Sequence, residues 1–174
     1  MAFRGLLRKA HVTVSDQAIR VSDVTFMPWG VLLRLNKTKT IQYGERSLEI
    51  PFSYAHDSIF CVATYVKRLI VSLRLHSTDY LFQYKTGSRR VPQTYGVFSA
   101  QLKALSSRVG LKDISSHSLR RGGASFLFSI GFTLVEIKSR GDWRSLAVLL
   151  YLTDSLERKV SKDRTVVDFL AVSR

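Results

Sequence analysis

The sequence predicts an α+β domain: a mostly helical body with a small three-stranded antiparallel sheet near the N-terminus. Three observations predict it. Hydrophobic residues make up 45% and charged residues 23% of 174 residues, the proportions of a globular chain long enough to bury its own core. Between positions 17 and 52 the apolar pattern is that of short strands divided by turns. From Ser58 onward apolar residues recur at the three- and four-residue steps of helices. Helix, small sheet, then helices is an α+β order and not an alternation of βαβ units.

Each element has its own signal. Residues 2–10 (AFRGLLRKA) are apolar and basic and read as the end of a helix. VTFM (24–27), VLLRLN (31–36) and SLEIPF (47–52) are β-prone, and MPWG (27–30) and QYGE (42–45) carry turn residues. That is a meander with Lys37, Lys39 and Arg46 in or beside its second turn. Ile59, Phe60, Val62, Ala63, Val66, Leu69, Ile70 and Leu73 mark the first long helix, with Ser58 as its N-cap. YKTGSRR (84–90) reads as a basic loop. A helix over 94–109 follows, with Phe98, Leu102, Leu105 and Val109 on one face and Gly110 as its stop. Further helices are expected over 116–130, ended by Gly131, over 133–139, and from Ser145 through Tyr151. No Pro/Gly/Ser-rich linker divides the chain, so residues 1–154 read as one domain. Residues 155–174 read as a C-terminal tail whose VVDFLAV patch is too small for a core.

Charge narrows the function. Lys and Arg total 27 against 13 acids, a net charge of +14, and the pI is near 10.3. A domain this basic usually meets a polyanion. The longest apolar runs, such as 146–152, fall well short of the roughly 20 residues of a membrane span. No basic amphipathic helix stands out, so a membrane partner ranks behind nucleic acid. The single cysteine, Cys61, excludes an intramolecular disulfide and a Cys-rich zinc site, and points to a reducing compartment. The N-terminus lacks the apolar core and cleavage site of a secretory signal.

Two clusters can carry chemistry. In S-S-H-S-L-R-R-G-G-A-S-F (115–126), His117 and Arg120 are three apart and face one way on a helix. The planar fork of Arg fits two phosphate oxygens, and His moves a proton near neutral pH. The pair suits a phosphodiester, although an exposed basic turn usually has no such role. Gly122 and Gly123 would let this helix pack closely against another. In G-D-W-R-S-L-A-V-L-L-Y-L (141–152), Tyr151 stands in an apolar run, where a core tyrosine with its hydroxyl at the surface is the ordinary reading.

Taken in order, G-L-L-R-K (5–9), K-T-I-Q-Y-G-E-R-S-L-E-I-P (39–51), H-S-L-R-R-G-G-A (117–124) and G-D-W-R-S (141–145), followed by Tyr151, resemble the catalytic domain of the tyrosine recombinases, or phage integrase family. The wording is most similar to eukaryotic Crypton-type recombinases. The resemblance runs from Arg8 to about Tyr151. It implies that Arg8 and Arg120 clamp the scissile phosphate and that Lys39, with Lys37 as the alternative, protonates the leaving 5′-oxygen. It implies that His117 handles the tyrosine proton and that Tyr151 is the nucleophile of a 3′-phosphotyrosyl link. Arg121, Trp143, Arg144 and Lys37 are expected to support the phosphate site. A tyrosine hydroxyl, with a pKa of about 10, needs such a cationic site or a base to attack at neutral pH. The link conserves the phosphodiester energy, so no cofactor is implied, and no metal.

The resemblance also implies double-stranded DNA as partner, self-association on that DNA, no small-molecule substrate and a nuclear location. Two features depart from it. Asp142 stands where most of the family has His or Trp, and an anion there must turn aside or pair with an arginine such as Arg144. The family's N-terminal DNA-clamping domain is not in these residues, and the chain is expected to open inside the helix that precedes Arg8. Two rivals remain: a non-catalytic DNA-binding remnant of a mobile element, which Asp142 and the short N-terminus favour, and a type IB topoisomerase-like enzyme.

Overall fold

The computed structural model describes residues 1–55, 58–152 and 156–172. The expected meander is present. Strands β1 (Val24–Met27), β2 (Gly30–Leu35) and β3 (Leu48–Ser53) form an antiparallel sheet in the order β1-β2-β3. Pairing runs from Val24 opposite Leu33 to Met27 opposite Gly30, and from Gly30 opposite Ser53 to Leu35 opposite Leu48. Gly30 is obligatory at this corner. Its φ is +154°, and a Cβ there would lie 2.2 Å from the Phe52 carbonyl oxygen. Alternation along β3 sends Leu48, Ile50 and Phe52 inward. They join Leu33, Leu35, Ile41 and Leu81 in a first core, closed by Val62 and Val66 of helix α2 (Val62–Leu73).

The helical body follows: α3 (Tyr95–Arg108), α4 (Ser116–Ser129) and α5 (Leu134–Gly141). Gly110 and Gly131, both at positive φ, lie just past α3 and α4 as expected. A second core, of Leu6, Ala124, Leu127, Ile137 and Val148, lies beneath α4 and α5. Consecutive residues Leu6 and Leu7 belong to different cores, Leu6 to the second and Leu7 to the first. The next residue, Arg8, therefore emerges at the seam between sheet and helices.

Several expectations are corrected. Residues 2–10 are not one helix. Residues 1–7 form a turn, with Gly5 N–H on the Met1 carbonyl (2.8 Å) and Leu7 N–H on that of Ala2 (3.1 Å), closed by left-handed Leu6 (φ +53°). The helix proper, α1, is Lys9–Val12. A leucine in this conformation costs on the order of 1–2 kcal/mol. Burial of its side chain, 1% exposed in the second core, offsets that cost. Ser58 does not cap α2. The cap position is Cys61, while Ser58 Oγ accepts from Phe60 N–H (3.1 Å) in a preceding turn that leaves Ile59 and Phe60 exposed. The basic stretch 84–90 is a hairpin, β4 (Gln83–Thr86) with β5 (Arg89–Pro92), turning through Gly87 at φ +58°. The element carrying Tyr151 is a 3₁₀ turn, Leu146–Tyr151. The tail contains a helix, α6 (Leu156–Val172). The expected boundary at 154–155 lies outside the described residues. Among the described residues no helix is long and apolar enough to cross a membrane, and no cluster of His, Cys, Asp and Glu is arranged to hold a metal ion.

Candidate active site

Helix α4 begins where its cap dictates. Ser115 Oγ accepts from Ser118 N–H (3.2 Å), so His117 and Arg120 fall on the first turns and one face. His117 is exposed at the rim, whereas Arg120 is 5% exposed. The buried guanidinium is held by two of its nitrogens and one face. Nη1 donates to the Leu6 carbonyl, Nη2 donates to that of Gly141 (2.5 Å), and its face lies 3.8 Å from the Trp143 ring centroid. The approach of Leu6 depends on Gly123, where a Cβ would lie 2.2 Å from the Phe3 carbonyl oxygen. The close packing expected at Gly122 and Gly123 is thus with the N-terminal turn and not with another helix.

The G-D-W sequence has a physical reading at each position. Helix α5 ends in Asp142, which adopts the left-handed conformation (φ 53°, ψ 51°). Short Asn and Asp side chains tolerate this region better than most. The chain then doubles back so that Trp143 lies over Gly141. A Cβ at 141 would stand 1.8 Å from indole Cζ3, so the ring requires glycine there. Ser145 caps the following 3₁₀ turn, which anchors on buried Val148 and delivers Tyr151. The Tyr151 ring lies 5.3 Å from that of His117, edge-on, and 6.1 Å from that of Trp143. Ser125 Oγ donates to the Tyr151 carbonyl and ties the turn to α4.

These segments meet at one cleft of about 520 Å³ whose lining includes Arg8, Lys39, His117, Arg120, Trp143 and Tyr151. Arg8 comes from the seam, Lys39 from the loop between β2 and β3, and the others from α4 and the turns after α5. The remaining expected residues do not line it. Lys37 Nζ lies 2.7 Å from Asp16 Oδ2 on another face. Residues 37–40 are not strand, and Lys37, the alternative to Lys39, does not reach the cleft. Arg121 lies with Cζ 5.4 Å from the Tyr151 ring centroid. Arg144 donates to the Thr40 carbonyl and approaches Glu45 (3.7 Å).

Asp142 turns aside, and its partner is Arg46 where Arg144 was expected. The residue is 5% exposed. Oδ1 accepts from Arg46 Nη2 (2.5 Å), and Oδ2 accepts from Thr38 Oγ1 (2.5 Å) and from Thr40 Oγ1. Burial is the largest single influence on this carboxyl and pushes its pKa up. The hydrogen bonds from Thr38, Thr40 and Arg46 outweigh burial and hold it below the usual range. Sequence reasoning did not anticipate Thr38 or Thr40, although both flank Lys39 directly.

His11 was also missed. It is 3% exposed, its Nδ1 accepts from Arg8 N–H (3.3 Å), and among the described residues its Nε2 has no partner. Burial first, then the charges of Arg120 and Arg8, lower its pKa from 6.5 to about 4. The same causes, burial and then Arg8, lower Arg120 to about 9, which leaves it charged at neutral pH. An unfolded chain binds a proton at His11 near pH 6.5, whereas the folded one resists until about 4. Stability is therefore full above pH 6.5 and falls as pH drops toward 4, by roughly 3 kcal/mol. The depressed Asp142 carboxyl titrates below that window. Denaturant melts of His11→Asn, which keeps an acceptor for Arg8 N–H, are expected to show a much flatter slope between pH 6.5 and 4.5. Equal slopes in both proteins would contradict the assignment.

The sequence profile of the phage integrase family matches residues 9–157, leaving Arg8 one position outside. No curated protein matches the sequence. Among solved structures the fold is similar to XerH site-specific recombinase bound to palindromic difH substrate, a post-cleavage complex, with TM-score 0.67, 16% identity, and 96% of this chain covering 43% of that one. It is similar to XerA recombinase, with TM-score 0.65, 17% identity, and 94% of this chain covering 53% of that one. It is similar to the Tn1549 transposon integrase in complex with circular intermediate DNA, with TM-score 0.65, 12% identity, and 95% of this chain covering 57% of that one. The chain spans about half the length of these proteins, and at such identities the likeness is one of fold.

Proposed function

The chain belongs to the phage integrase family of tyrosine recombinases, and from that premise we propose that it cuts and rejoins double-stranded DNA as a site-specific recombinase, through a 3′-phosphotyrosyl link at Tyr151. The observation that carries the reading is the single cleft that gathers Arg8, Lys39, His117, Arg120, Trp143 and Tyr151 from distant segments. A structural arginine, a surface lysine and a core tyrosine have no reason to converge on one opening.

In this mechanism the scissile phosphate sits between Arg8 and Arg120, which neutralise its non-bridging oxygens as charge builds in the transition state. Tyr151 Oη attacks phosphorus, and its proton passes to His117, whose ring lies against that of Tyr151 in a T-shaped contact. The bond from phosphorus to the 5′-oxygen breaks, and Lys39 Nζ gives that oxygen its proton. Rejoining is the reverse, with the 5′-hydroxyl as attacking group. Trp143, stacked on Arg120, shields the cleft and holds the guanidinium plane. Asp142, one of the grounds for the remnant reading, is paired to the β2–β3 loop and does not line the cleft, which favours the catalytic reading. The motif wording favours a Crypton-type, nuclear enzyme that self-associates on its DNA target.

The test is a nicked duplex from which the short fragment bearing the new 5′-hydroxyl diffuses away, so that the covalent intermediate accumulates. The expected result is an SDS-stable protein–DNA adduct, with non-covalent binding that weakens steeply as salt rises. Each neutralised phosphate contributes a slope of about −0.9 in log affinity against log salt. Binding independent of salt, with no adduct, would remove DNA from the reading.

A further inference from the structure

Resting on the roles of Lys39 and Tyr151 above, we infer that Asp142 is a positioning residue for Lys39: its buried carboxylate clasps the β2–β3 loop and sets the lysine's reach into the cleft.

The loop, residues 36–47, lies between the ends of β2 and β3 and has no regular structure to stiffen it. Lys39 itself is exposed. A long side chain on an untethered loop samples many positions, and a mobile acid does not preorganise a transition state. Buried Ile41 anchors the middle of the loop in the first core, and one anion ties down the residues on either side of Lys39. Lys39 stands between Thr38 and Thr40, and both hydroxyls donate to the same oxygen, Asp142 Oδ2. Thr38 is 1% exposed, and its Oγ1 also accepts from the Thr40 and Ile41 amides, each at 3.1 Å. The other carboxylate oxygen takes Arg46, at the far end of the loop. Arg144 adds a second strap to the Thr40 carbonyl.

Asp142 also belongs to the turn that organises the opposite wall of the cleft. Gly141, one residue before it, accepts from Arg120 through its carbonyl, and Trp143, one residue after it, stacks on that same arginine. Three consecutive residues thus fix Arg120 on one side and the loop of Lys39 on the other. Only an ionised carboxylate fits the middle position, because three donors converge on it and it offers acceptors alone. A histidine or tryptophan there would leave Thr38, Thr40 and Arg46 without their shared partner.

The test separates a role acting through Lys39 from a merely structural one. Wild type, Asp142→Asn, Arg46→Gln and Lys39→Ala are compared on two nicked duplexes, one ordinary and one with sulfur replacing the bridging 5′-oxygen at the cleaved phosphate. A thiolate leaves without being protonated, so the sulfur substrate needs no general acid. On the ordinary substrate Asp142→Asn is expected to cleave on the order of ten- to a hundredfold more slowly, part of the ~10²–10⁴ that a positioned acid supplies. Arg46→Gln should show a smaller loss of the same kind. On the sulfur substrate all three variants should return to within about threefold of wild type, a margin small beside that contribution. Arg46 is surface-accessible, so Arg46→Gln carries the comparison should Asp142→Asn fail to fold. Defects of equal size on both substrates, or no defect on the ordinary one, would overturn the inference while leaving the recombinase reading intact. A wild type that binds DNA but cleaves neither substrate would overturn both.

Discussion

Arg120→Lys is expected to lower the rate of DNA cleavage about 10²–10³-fold, the loss typical of removing one donor to a developing charge, and to destabilise the fold as well. Lysine keeps the cation, so a purely electrostatic role would survive the exchange. Arginine has five N–H donors in a fixed fork. Two of its nitrogens already bind the carbonyls of Leu6 and Gly141, and the remaining donors are left for phosphate. An ammonium is a point charge that cannot bridge two carbonyls and grip an oxyanion together. It also cannot stack as a plane on Trp143. One buried carbonyl would lose its partner, at about 1–3 kcal/mol, and the joint between the N-terminal turn, α4 and the 141–143 turn would loosen. Cleavage rates measured well below the melting midpoint, beside thermal melts, distinguish the two losses. Rates for Arg and Lys within threefold of each other would mean that residue 120 supplies only charge.

Much of the fold was legible because local signals and tertiary demands agree. The meander is announced by turn residues at 27–30 and by the β-prone runs 24–27, 31–36 and 47–52, and the structure uses them. Helices α3 and α4 stop where glycine allows positive φ, at Gly110 and Gly131. The misreadings fall where tertiary contacts override local preference. Nothing local marks Leu6 for the left-handed region. It goes there because its side chain fills the second core and its carbonyl meets Arg120, both contacts with residues far along the chain. The hairpin at 84–92 looked like a loop because its strands are short and basic, and the turn at Gly87 was the one signal available.

The candidate site divides in the same way. Arg8, Lys39, His117, Arg120 and Tyr151 were readable from motif order, and the cleft gathers all five. Their supports were not. Asp142 looked like a liability because a motif shows which residue is present but not where its side chain points. Its left-handed backbone and its three donors exist only in the folded chain. His11 gave no signal either, since its burial against Arg8 and Arg120 depends on how α1 packs.

The central claim is that Tyr151 is the nucleophile. The other six tyrosines share its chemistry, but the ring of Tyr151 lies against His117 and Trp143 in the cleft. The most direct measurement is adduct formation on a nicked duplex by wild type and Tyr151→Phe, at matched DNA occupancy, with the modified peptide located by mass spectrometry. Phenylalanine removes the hydroxyl and keeps the ring, so the melting midpoint and non-covalent affinity should stay near wild type. The account predicts an SDS-stable adduct mapped to Tyr151 in wild type and none in Tyr151→Phe. An adduct that persists in Tyr151→Phe, or one that maps to another tyrosine, would contradict it.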